Sequence, residues 1–358
     1  MKISSLSALR VRIPQIAPIA PYQNRYRPGT HKEALLVRLE TDTGLVGWGE
    51  TPDDWINRSF EGTPEDRLRS QVLGRDPFDL EAWYAENTLG TFLASAVEMA
   101  FWDLQGQATG LPLYQLLGGA VRKEIELAAC MGIRPYGEAR AIARQYALQG
   151  FSTLKTKAGR DAQEDLEMVR GIRDGAGDRL KLRIDPNMGY TPEVALQLAR
   201  DLEKYHLEYF EQPMHSTLLA ESARLRRQTR TPLALNESVT TTEVALQILQ
   251  LGAADVLLPD TYQCGGILAV KKVAALCEAA RVPCVFHCAH DLGLKTAAML
   301  HVVASTPCFT LANDCTYYGL EDDILTTLHT IDHGRMRVPE GPGLGVNVDQ
   351  AKLARYRV

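Results

Sequence analysis

The chain has 358 residues, of which 45% are hydrophobic and 23% charged, a composition typical of a folded globular protein. Its formal net charge of −5 provides no positive field for nucleic acid or an anionic membrane surface, so we expect neither as a partner. The seven cysteines lack CxxC spacing, which argues against a disulfide framework or zinc ribbon and favours a reducing, cytoplasmic location. No apolar run is long enough to span a membrane, and Arg10 and Arg12 interrupt the segment where a signal peptide needs apolar residues.

Residues 1–123 predict a small α+β domain. Two runs of alternating polarity within residues 32–50 flank Asp42-Thr43-Gly44, which is typical of a β-hairpin. A later segment has apolar residues three or four positions apart, which places them on one face of a helix. These residues are Leu93, Val97, Ala100, Phe101, Leu104 and Ala108. Strands followed by helices favour the α+β class.

From residue 124 the pattern changes to eight β-rich runs that alternate with amphipathic helical stretches. Each run ends in a polar or reactive residue: Cys130, Lys157, Asp185, Glu211, Glu237, Asp260, His287 and Asn313. A (β/α)8 barrel needs eight such units, whereas a doubly wound sheet has the same alternation but no reason to stop at eight. We therefore predict a modified (β/α)8 barrel over residues 124–330. The tail, residues 331–358, has lost the repeat and is expected to fold back onto the N-terminal domain.

Carboxylates end three consecutive runs, at Asp185, Glu211 and Glu237. Active sites of barrels lie at the carboxyl ends of the strands, so these side chains are expected to share one mouth. They would repel one another unless a cation neutralised them, and all-oxygen ligands select a hard ion. We predict Mg²⁺, with Mn²⁺ as the alternative ion. The other interpretation is that each acid only caps the helix that follows it.

Two further units carry groups suited to proton transfer. Lys155 and Lys157 are two residues apart on a strand, so both face the barrel interior, where burial beside a metal is expected to lower their pKa. A solvated or phosphate-binding lysine pair is the alternative. Asp260 and His287 end adjacent units, so the carboxylate is expected to orient the imidazole. His290 competes for that role, but His287 lies closer to the preceding β-run.

The motifs, taken in order, resemble the mandelate racemase subgroup of the enolase superfamily over nearly the whole chain. They are GLVGWGE at 44–50, the segment 94–119, KTK at 155–157, DPN at 185–187, EQP at 211–213, NES at 236–238, Gly265-Gly266 and PEGPGLGV at 339–346. The resemblance implies an N-terminal α+β capping domain on a modified barrel. It also implies one Mg²⁺ that chelates a substrate carboxylate while a base removes the α-proton to give an enediolate.

Carried over to this chain, the resemblance implies three metal ligands: Asp185, Glu211 and Glu237. It implies that Lys157 is the base on one face of the substrate, assisted by Lys155, and that His287 is the acid or base on the other. His287 is paired with Asp260, where the muconate-cycloisomerase-like subgroup has a lysine. Asn313 stands near the place of a glutamate that donates to the substrate carboxylate in mandelate racemase.

The resemblance favours dehydration of an acid sugar as the reaction, and a homo-oligomer as the assembly. Racemisation or epimerisation of an α-substituted carboxylate is the alternative. A non-catalytic binding protein on the same fold is more remote, because the three carboxylates and both lysines are all present.

Substrate selection is predicted for the capping domain, whose loops are expected to close over the barrel. The segment 19–31 is rich in groups that bind polar anions, and residues 51–55 are the expected second wall. The predicted substrate-binding residues are Tyr22, Arg25, Tyr26, Arg27, Trp55, Asn187 and Asn313. For the arginines, surface solvation is an equally good interpretation.

Overall fold

A computed structural model describes residues 1–53 and 63–358. The N-terminal domain contains five strands: β1 (Ile3–Pro14), β2 (Tyr22–Gln23), β3 (Pro28–Gly29), β4 (His31–Thr41) and β5 (Val46–Pro52). Its helices are α1 (Pro64–Val72), α2 (Leu80–Glu86), α3 (Thr91–Thr109) and α4 (Leu113–Leu116). Strands β1, β4 and β5 form an antiparallel sheet in that order, and β2 and β3 form a short ribbon between β1 and β4. The predicted hairpin is confirmed as β4–β5, with Gly44 in the turn at a φ of +83°.

Helix α3 packs directly on this sheet, which explains the glycines of the GLVGWGE motif. A Cβ atom on Gly49 would lie 1.8 Å from the carbonyl oxygen of Ala96, and one on Gly47 would lie 2.5 Å from that of Ala100. Only glycine permits so close an approach of helix and strand. The motif therefore serves the packing of the N-terminal domain.

The second domain is a closed barrel. Its strands are β6 (Glu124–Met131), β7 (Thr153–Lys157), β8 (Lys181–Asp185), β9 (Tyr209–Glu211), β10 (Leu233–Leu235), β11 (Val256–Leu257) and β12 (Asn313–Asp314). Its helices are α5 (Tyr136–Leu148), α6 (Ala162–Ala176), α7 (Pro192–Leu202), α8 (Leu219–Gln228), α9 (Thr242–Leu251), α10 (Thr261–Cys264), α11 (Ile267–Ala280) and α12 (Gly293–Ala304). Strands β6 to β11 are parallel neighbours in chain order, and β12 pairs with β6.

The seventh position of the barrel is an irregular segment, although the sequence predicts a β-run there. Val285 donates from its backbone N–H to Leu257 (3.0 Å), His287 donates to Pro259 (3.2 Å), and Asp314 donates to Phe286 (3.2 Å). These bonds join the segment to β11 on one side and β12 on the other. The barrel therefore closes with eight positions, as the repeat predicts.

The tail contributes a hairpin, β13 (Ile331–Asp332) and β14 (Arg335–Arg337), and the helix α13 (Gln350–Tyr356). Strand β14 pairs antiparallel with β6 of the barrel. The chain end reaches β1, where Val358 donates a backbone hydrogen bond to Arg10 (3.1 Å). The tail thus contacts both domains, and the boundaries at residues 123 and 330 stay predictions. No described helix combines the length and apolar character needed to cross a membrane.

Two buried glutamates of the N-terminal domain cap helices of the barrel. Glu50 accepts hydrogen bonds from the backbone N–H groups of Leu292 (2.7 Å) and Lys295 (2.9 Å) at the start of α12. Glu98 accepts from the first two N–H groups of α11, at 2.7 and 2.8 Å. Burial raises the pKa of Glu50 to about 8 and that of Glu98 to about 7. These bonds fix the capping domain over the carboxyl ends of the barrel strands.

Candidate active site

The three carboxylates that the sequence places at strand ends lie around one site. Asp185 and Glu211 end β8 and β9, and Glu237 follows β10, so they sit at the carboxyl ends of adjacent parallel strands. The Asn187 side chain bridges two of them, with Nδ2 at 3.3 Å from Asp185 and 2.9 Å from Glu237. Lys155 Nζ lies 2.7 Å from Glu211 and 3.4 Å from Asp185. The fold therefore assembles these acids, and their role as ligands is a proposal.

Burial and mutual repulsion act against full ionisation of this cluster. Burial, followed by the charge of Asp185, raises the pKa of both Glu211 and Glu237. Burial would raise the pKa of Asp185 as well, but Lys157 and Lys155 outweigh it and lower that pKa below its usual range. A cation at the cluster would relieve the repulsion that the two glutamates feel.

The donor set fits a hard divalent cation. One oxygen each of Glu211 and Glu237 (Oε2) is buried and lacks a hydrogen-bond partner among the described residues. Ligand atoms of Glu211, His287 and Asp314 also lie within 4.8 Å of one another. However, both oxygens of Asp314 accept from cationic side chains, Oδ1 from Arg183 and Oδ2 from Lys155, and the imidazole of His287 binds Asp260. Because a buried oxygen without a partner is costly, the unpartnered oxygens favour Glu211 and Glu237 as cation ligands. Asp185, which also pairs with Lys155 and Lys157, is proposed as the third ligand from its position on the adjacent strand.

A Glu237→Gln variant tests this assignment without reference to turnover. Replacing a carboxylate ligand by a neutral amide is expected to weaken Mg²⁺ binding by at least about tenfold. The dissociation constant is measured by calorimetry on the free protein, with exposed Glu243→Gln on α9 as the matched control. Equal Mg²⁺ affinity in the two variants would exclude Glu237 as a ligand.

The two lysines end β7 and face the same cluster. Lys157 Nζ lies 2.5 Å from Asp185 Oδ2. Lys155 is almost fully buried and pairs with Glu211 and Asp314, each at 2.7 Å. Burial by itself would lower the pKa of Lys155, as the sequence argument expected, but Asp314, Glu211 and Asp185 together raise it well above its ordinary value. Without a cation at the cluster Lys155 is therefore held as an ammonium group, and the lowered pKa beside a bound metal stays a prediction.

A histidine–aspartate pair lies at the sixth and seventh positions of the barrel and faces the acid cluster. His287 Nδ1 lies 3.0 Å from Asp260 Oδ2, which fixes the imidazole and leaves Nε2 for the site. Burial lowers the pKa of His287 although the hydrogen bond to Asp260 opposes it, so this imidazole is neutral at neutral pH. His290, the competing histidine, lies against the capping domain, where its Nδ1 is 2.9 Å from Gln15.

Lys295, which is absent from the residues predicted from the sequence, supports this pair. Lys295 lies on α12, is fully buried, and places Nζ 2.8 Å from Asp260 Oδ1 and 2.8 Å from Asp291. Burial would raise the pKa of Asp260, but Lys295 and then His287 outweigh it and keep the pKa below its usual range. Lys295 is the only Asp, Glu, Lys or Arg residue in α12, and a lone charge in an apolar helix is the signal that could have revealed it.

At the eighth strand, Asp314 rather than Asn313 enters the site. Asp314 Oδ1 accepts from Arg183 (3.2 Å), and Oδ2 accepts from Lys155 (2.7 Å). Asn313 points the other way, where its Oδ1 accepts from the backbone N–H of Phe286 (2.8 Å). Its Nδ2 donates to a backbone carbonyl at 3.3 Å. Because both ends of this amide hold backbone groups, the prediction that Asn313 binds substrate does not fit the structure.

Of the substrate-binding residues predicted in the capping domain, two reach the barrel. The ring of Tyr22 lies edge-on to His290, with centroids 4.0 Å apart. Arg25 donates from Nη1 to the backbone oxygen of Asn187 (3.0 Å), the residue that bridges Asp185 and Glu237. Both residues therefore lie next to the cluster, and their contact with substrate stays a prediction.

The other predicted residues of this domain lie farther out. Tyr26 is 61% exposed, and Arg25 stacks over its ring at 4.7 Å. Arg27 is exposed, and its backbone N–H donates to Asn24 (3.0 Å). Trp55 lies outside the described residues. Surface solvation thus describes Tyr26 in this structure, and contact of Arg27 with substrate stays a prediction.

A capped barrel with acids on three consecutive strands and basic groups on both sides defines an enzyme that uses a divalent cation. Residues 9–118 match the family model of the mandelate racemase / muconate lactonizing enzyme N-terminal domain, and residues 138–352 match enolase C-terminal domain-like. The chain therefore belongs to the mandelate racemase and muconate lactonizing enzyme subgroup of the enolase superfamily, and the resemblance drawn from its motifs is confirmed.

Relatives in this subgroup catalyse more than one reaction. The chain is 32% identical to L-Ala-D/L-Glu epimerase of Bacillus subtilis (strain 168), with 97% of each chain covered. It is 28% identical to D-gluconate dehydratase of Thermoproteus tenax, over 98% of this chain and 75% of that protein. A dipeptide epimerase from Cytophaga hutchinsonii, solved with Mg and the dipeptide D-Ala-L-Val, superposes with a TM-score of 0.91 at 26% identity, covering 99% and 98% of the chains. Epimerases and dehydratases thus share this architecture.

Proposed function

We propose that this enzyme removes the α-proton of a carboxylate substrate and then eliminates a β-hydroxyl as water, which makes it an acid-sugar dehydratase. The observation that carries the proposal is the neutral His287, held through Nδ1 by Asp260, beside two lysines that are ion-paired with the acid cluster. Such an imidazole is ready to accept one proton and then to return it.

The acid cluster and the lysines place the substrate for this step. When bound at Asp185, Glu211 and Glu237, Mg²⁺ would supply positive charge to the substrate carboxylate and make its α-proton more acidic. Lys155 and Lys157 add two fixed positive charges on the β7 side of the mouth. In a buried site such preorganised charges stabilise the negative charge that develops on the carboxylate oxygens.

His287 performs both proton transfers in this scheme. Its Nε2 takes the α-proton, and the electrons of the broken C–H bond form a double bond as the C–O bond to the β-hydroxyl breaks. The imidazolium gives the proton to the departing oxygen, which leaves as water. The enol that remains takes up a proton at the β-carbon, loses the proton of its hydroxyl group and becomes a 2-keto acid. Asp260 stabilises the transient imidazolium, and Lys295 holds Asp260 in place.

Epimerisation is the second candidate, and a specific feature supports it. Lys157 and His287 come from the second and seventh positions of the barrel, so they approach the mouth from different sides. His287 would take the proton from one face, and the Lys157 ammonium would return one to the other. The relationship to L-Ala-D/L-Glu epimerase favours the same outcome.

Incubation in deuterium oxide separates the two reactions. Acid sugars and dipeptides are supplied with Mg²⁺, and products are followed by NMR and by assay for 2-keto acids. We expect a 2-keto product, with little deuterium at the α-carbon of recovered substrate, because His287 passes on the proton it removes. Epimerisation would be the reaction instead if the recovered substrate carries deuterium, is inverted at the α-carbon and has lost no water.

The wider setting remains predicted. The relatives named above act on small carboxylates, and a compound of that class is the proposed substrate. The homo-oligomer and the cytoplasmic location stay predictions from the sequence.

A further inference from the structure

Lys32 is a buried lysine on β4 of the capping domain. Its exposure is 6%, and within residues 1–53 and 63–358 no carboxylate lies within ion-pair distance of its Nζ. The other buried lysines, Lys155 and Lys295, each pair with at least two carboxylates. A buried ammonium without a partner is strongly destabilising, so an unpaired one indicates a place where a ligand supplies the negative charge.

The register of the capping sheet places Lys32 over the barrel mouth. Lys32 pairs with Ile13 across β1 and β4, and the Gln15 backbone N–H continues the ladder by donating to Thr30 (2.8 Å). Paired residues and residues two apart share a face, so Ile13, Gln15 and Lys32 lie on the same side of the sheet. Gln15 Nε2 lies 2.9 Å from His290 Nδ1. That side of the sheet therefore faces His290 at the edge of the site.

The charge around His290 supports this placement. Burial, followed by the charges of Lys32 and Lys157, lowers the pKa of His290 well below its ordinary value. His290 is thus a neutral group beside Lys32 and adds no charge of its own. Lys157 is neutralised by Asp185, whereas Lys32 has no carboxylate partner among the described residues.

We propose that Lys32 binds a second carboxylate, at the end of the substrate remote from the α-carbon, so that the substrate is a dicarboxylate. The inference rests on the proposed function, since it assumes that the first carboxylate binds at the acid cluster. One ammonium flanked by neutral His290 and Gln15 matches a single negative charge, as on a carboxylate, better than the double charge of a phosphate. The inference applies equally to dehydration and epimerisation.

The test compares ligands that differ only in the second carboxylate. D-glucarate with D-gluconate, galactarate with D-galactonate, and L-Ala-L-Glu with L-Ala-L-Gln are titrated by calorimetry into the full-length protein with Mg²⁺. In at least one pair the dicarboxylate is expected to bind about tenfold or more tightly than its partner. Lys32→Met is expected to remove that difference and to change the affinity for the monocarboxylate by less than about threefold. Lys32→Arg, which keeps the charge, is expected to retain most of it.

Three results would overturn the proposal. Equal binding of both members of every pair by the wild type removes the need for a second carboxylate, while the proposed function stands. Lys32→Met weakening both members alike, or neither, removes Lys32 as the selective group. Failure of the wild type to bind any of the six compounds would overturn the proposed function together with this inference. Thermal melting of each variant and the exposed Lys123→Met control separate these results from misfolding.

Discussion

A Lys157→Met variant is expected to lose about 10²- to 10³-fold in kcat while keeping its fold. The ammonium lies 2.5 Å from Asp185 and is one of the two charges proposed to stabilise the developing anion, and removing one such group typically has an effect of this size. Asp185 keeps the backbone N–H of Asn187 (2.9 Å) and Lys155 (3.4 Å), so the carboxylate is not left unpartnered. Steady-state kinetics with added Mg²⁺ and a melting curve measure the two effects.

Two other substitutions make this result interpretable. Lys181→Met removes a 60% exposed lysine on neighbouring β8 and is expected to leave kcat unchanged. Lys157→Arg keeps the positive charge but cannot give up a proton, so it should recover part of the dehydratase rate and none of an epimerase rate. A fully active Lys157→Met variant would remove this lysine from the mechanism.

The repeat of eight units could be predicted because each strand end carries a polar residue at a near-constant interval. Asp185, Glu211 and Glu237 follow the same rule, since parallel strands bring their carboxyl ends together. The location of a side chain can therefore be predicted from the sequence wherever the strand that carries it determines that location. The irregular backbone at the seventh barrel position could not be predicted, because its hydrogen bonds to β11 and β12 depend on the neighbouring strands and not on its own residues.

Residues fixed by tertiary contacts were harder to predict. Asn313 and Asp314 are adjacent on a strand, so their side chains point to opposite faces of the sheet. An error of one residue in the predicted register therefore selects the side chain that points away from the site. Lys295 reaches Asp260 from a helix, and no interval between strand ends predicts that contact.

Prediction of the pKa of Lys155 also requires tertiary contacts that the sequence does not give. Burial of Lys155 could be predicted from its strand, but Asp314 enters from the eighth strand and, with Glu211, surrounds the ammonium with negative charge when no cation is bound. Once the charges on all facing strands are known, electrostatic attraction outweighs desolvation.

The largest effect is expected for His287→Asn, because the proposed scheme routes both proton transfers through this imidazole. Asparagine can still donate to Asp260 but has no basic nitrogen, so kcat should fall by about 10²- to 10⁴-fold. Loss of water should stop, and the recovered substrate should gain no deuterium at the α-carbon. If deuterium enters the α-carbon while loss of water stops, another base removes the proton and His287 acts only on the leaving group.

The pH dependence gives an independent check on the same residue. The scheme needs His287 unprotonated, and burial lowers its pKa below the ordinary 6.5, so kcat/KM of the wild type should fall only as the pH drops below about 6.5. This acidic limb should be missing from the residual activity of His287→Asn. The matched control is His206→Asn, at an exposed site with a φ of 50° that asparagine tolerates. This variant should keep the wild-type kcat and the same fall of kcat/KM at acidic pH. An unchanged acidic limb in His287→Asn would assign that titration to another group and remove the main support for His287 as the base.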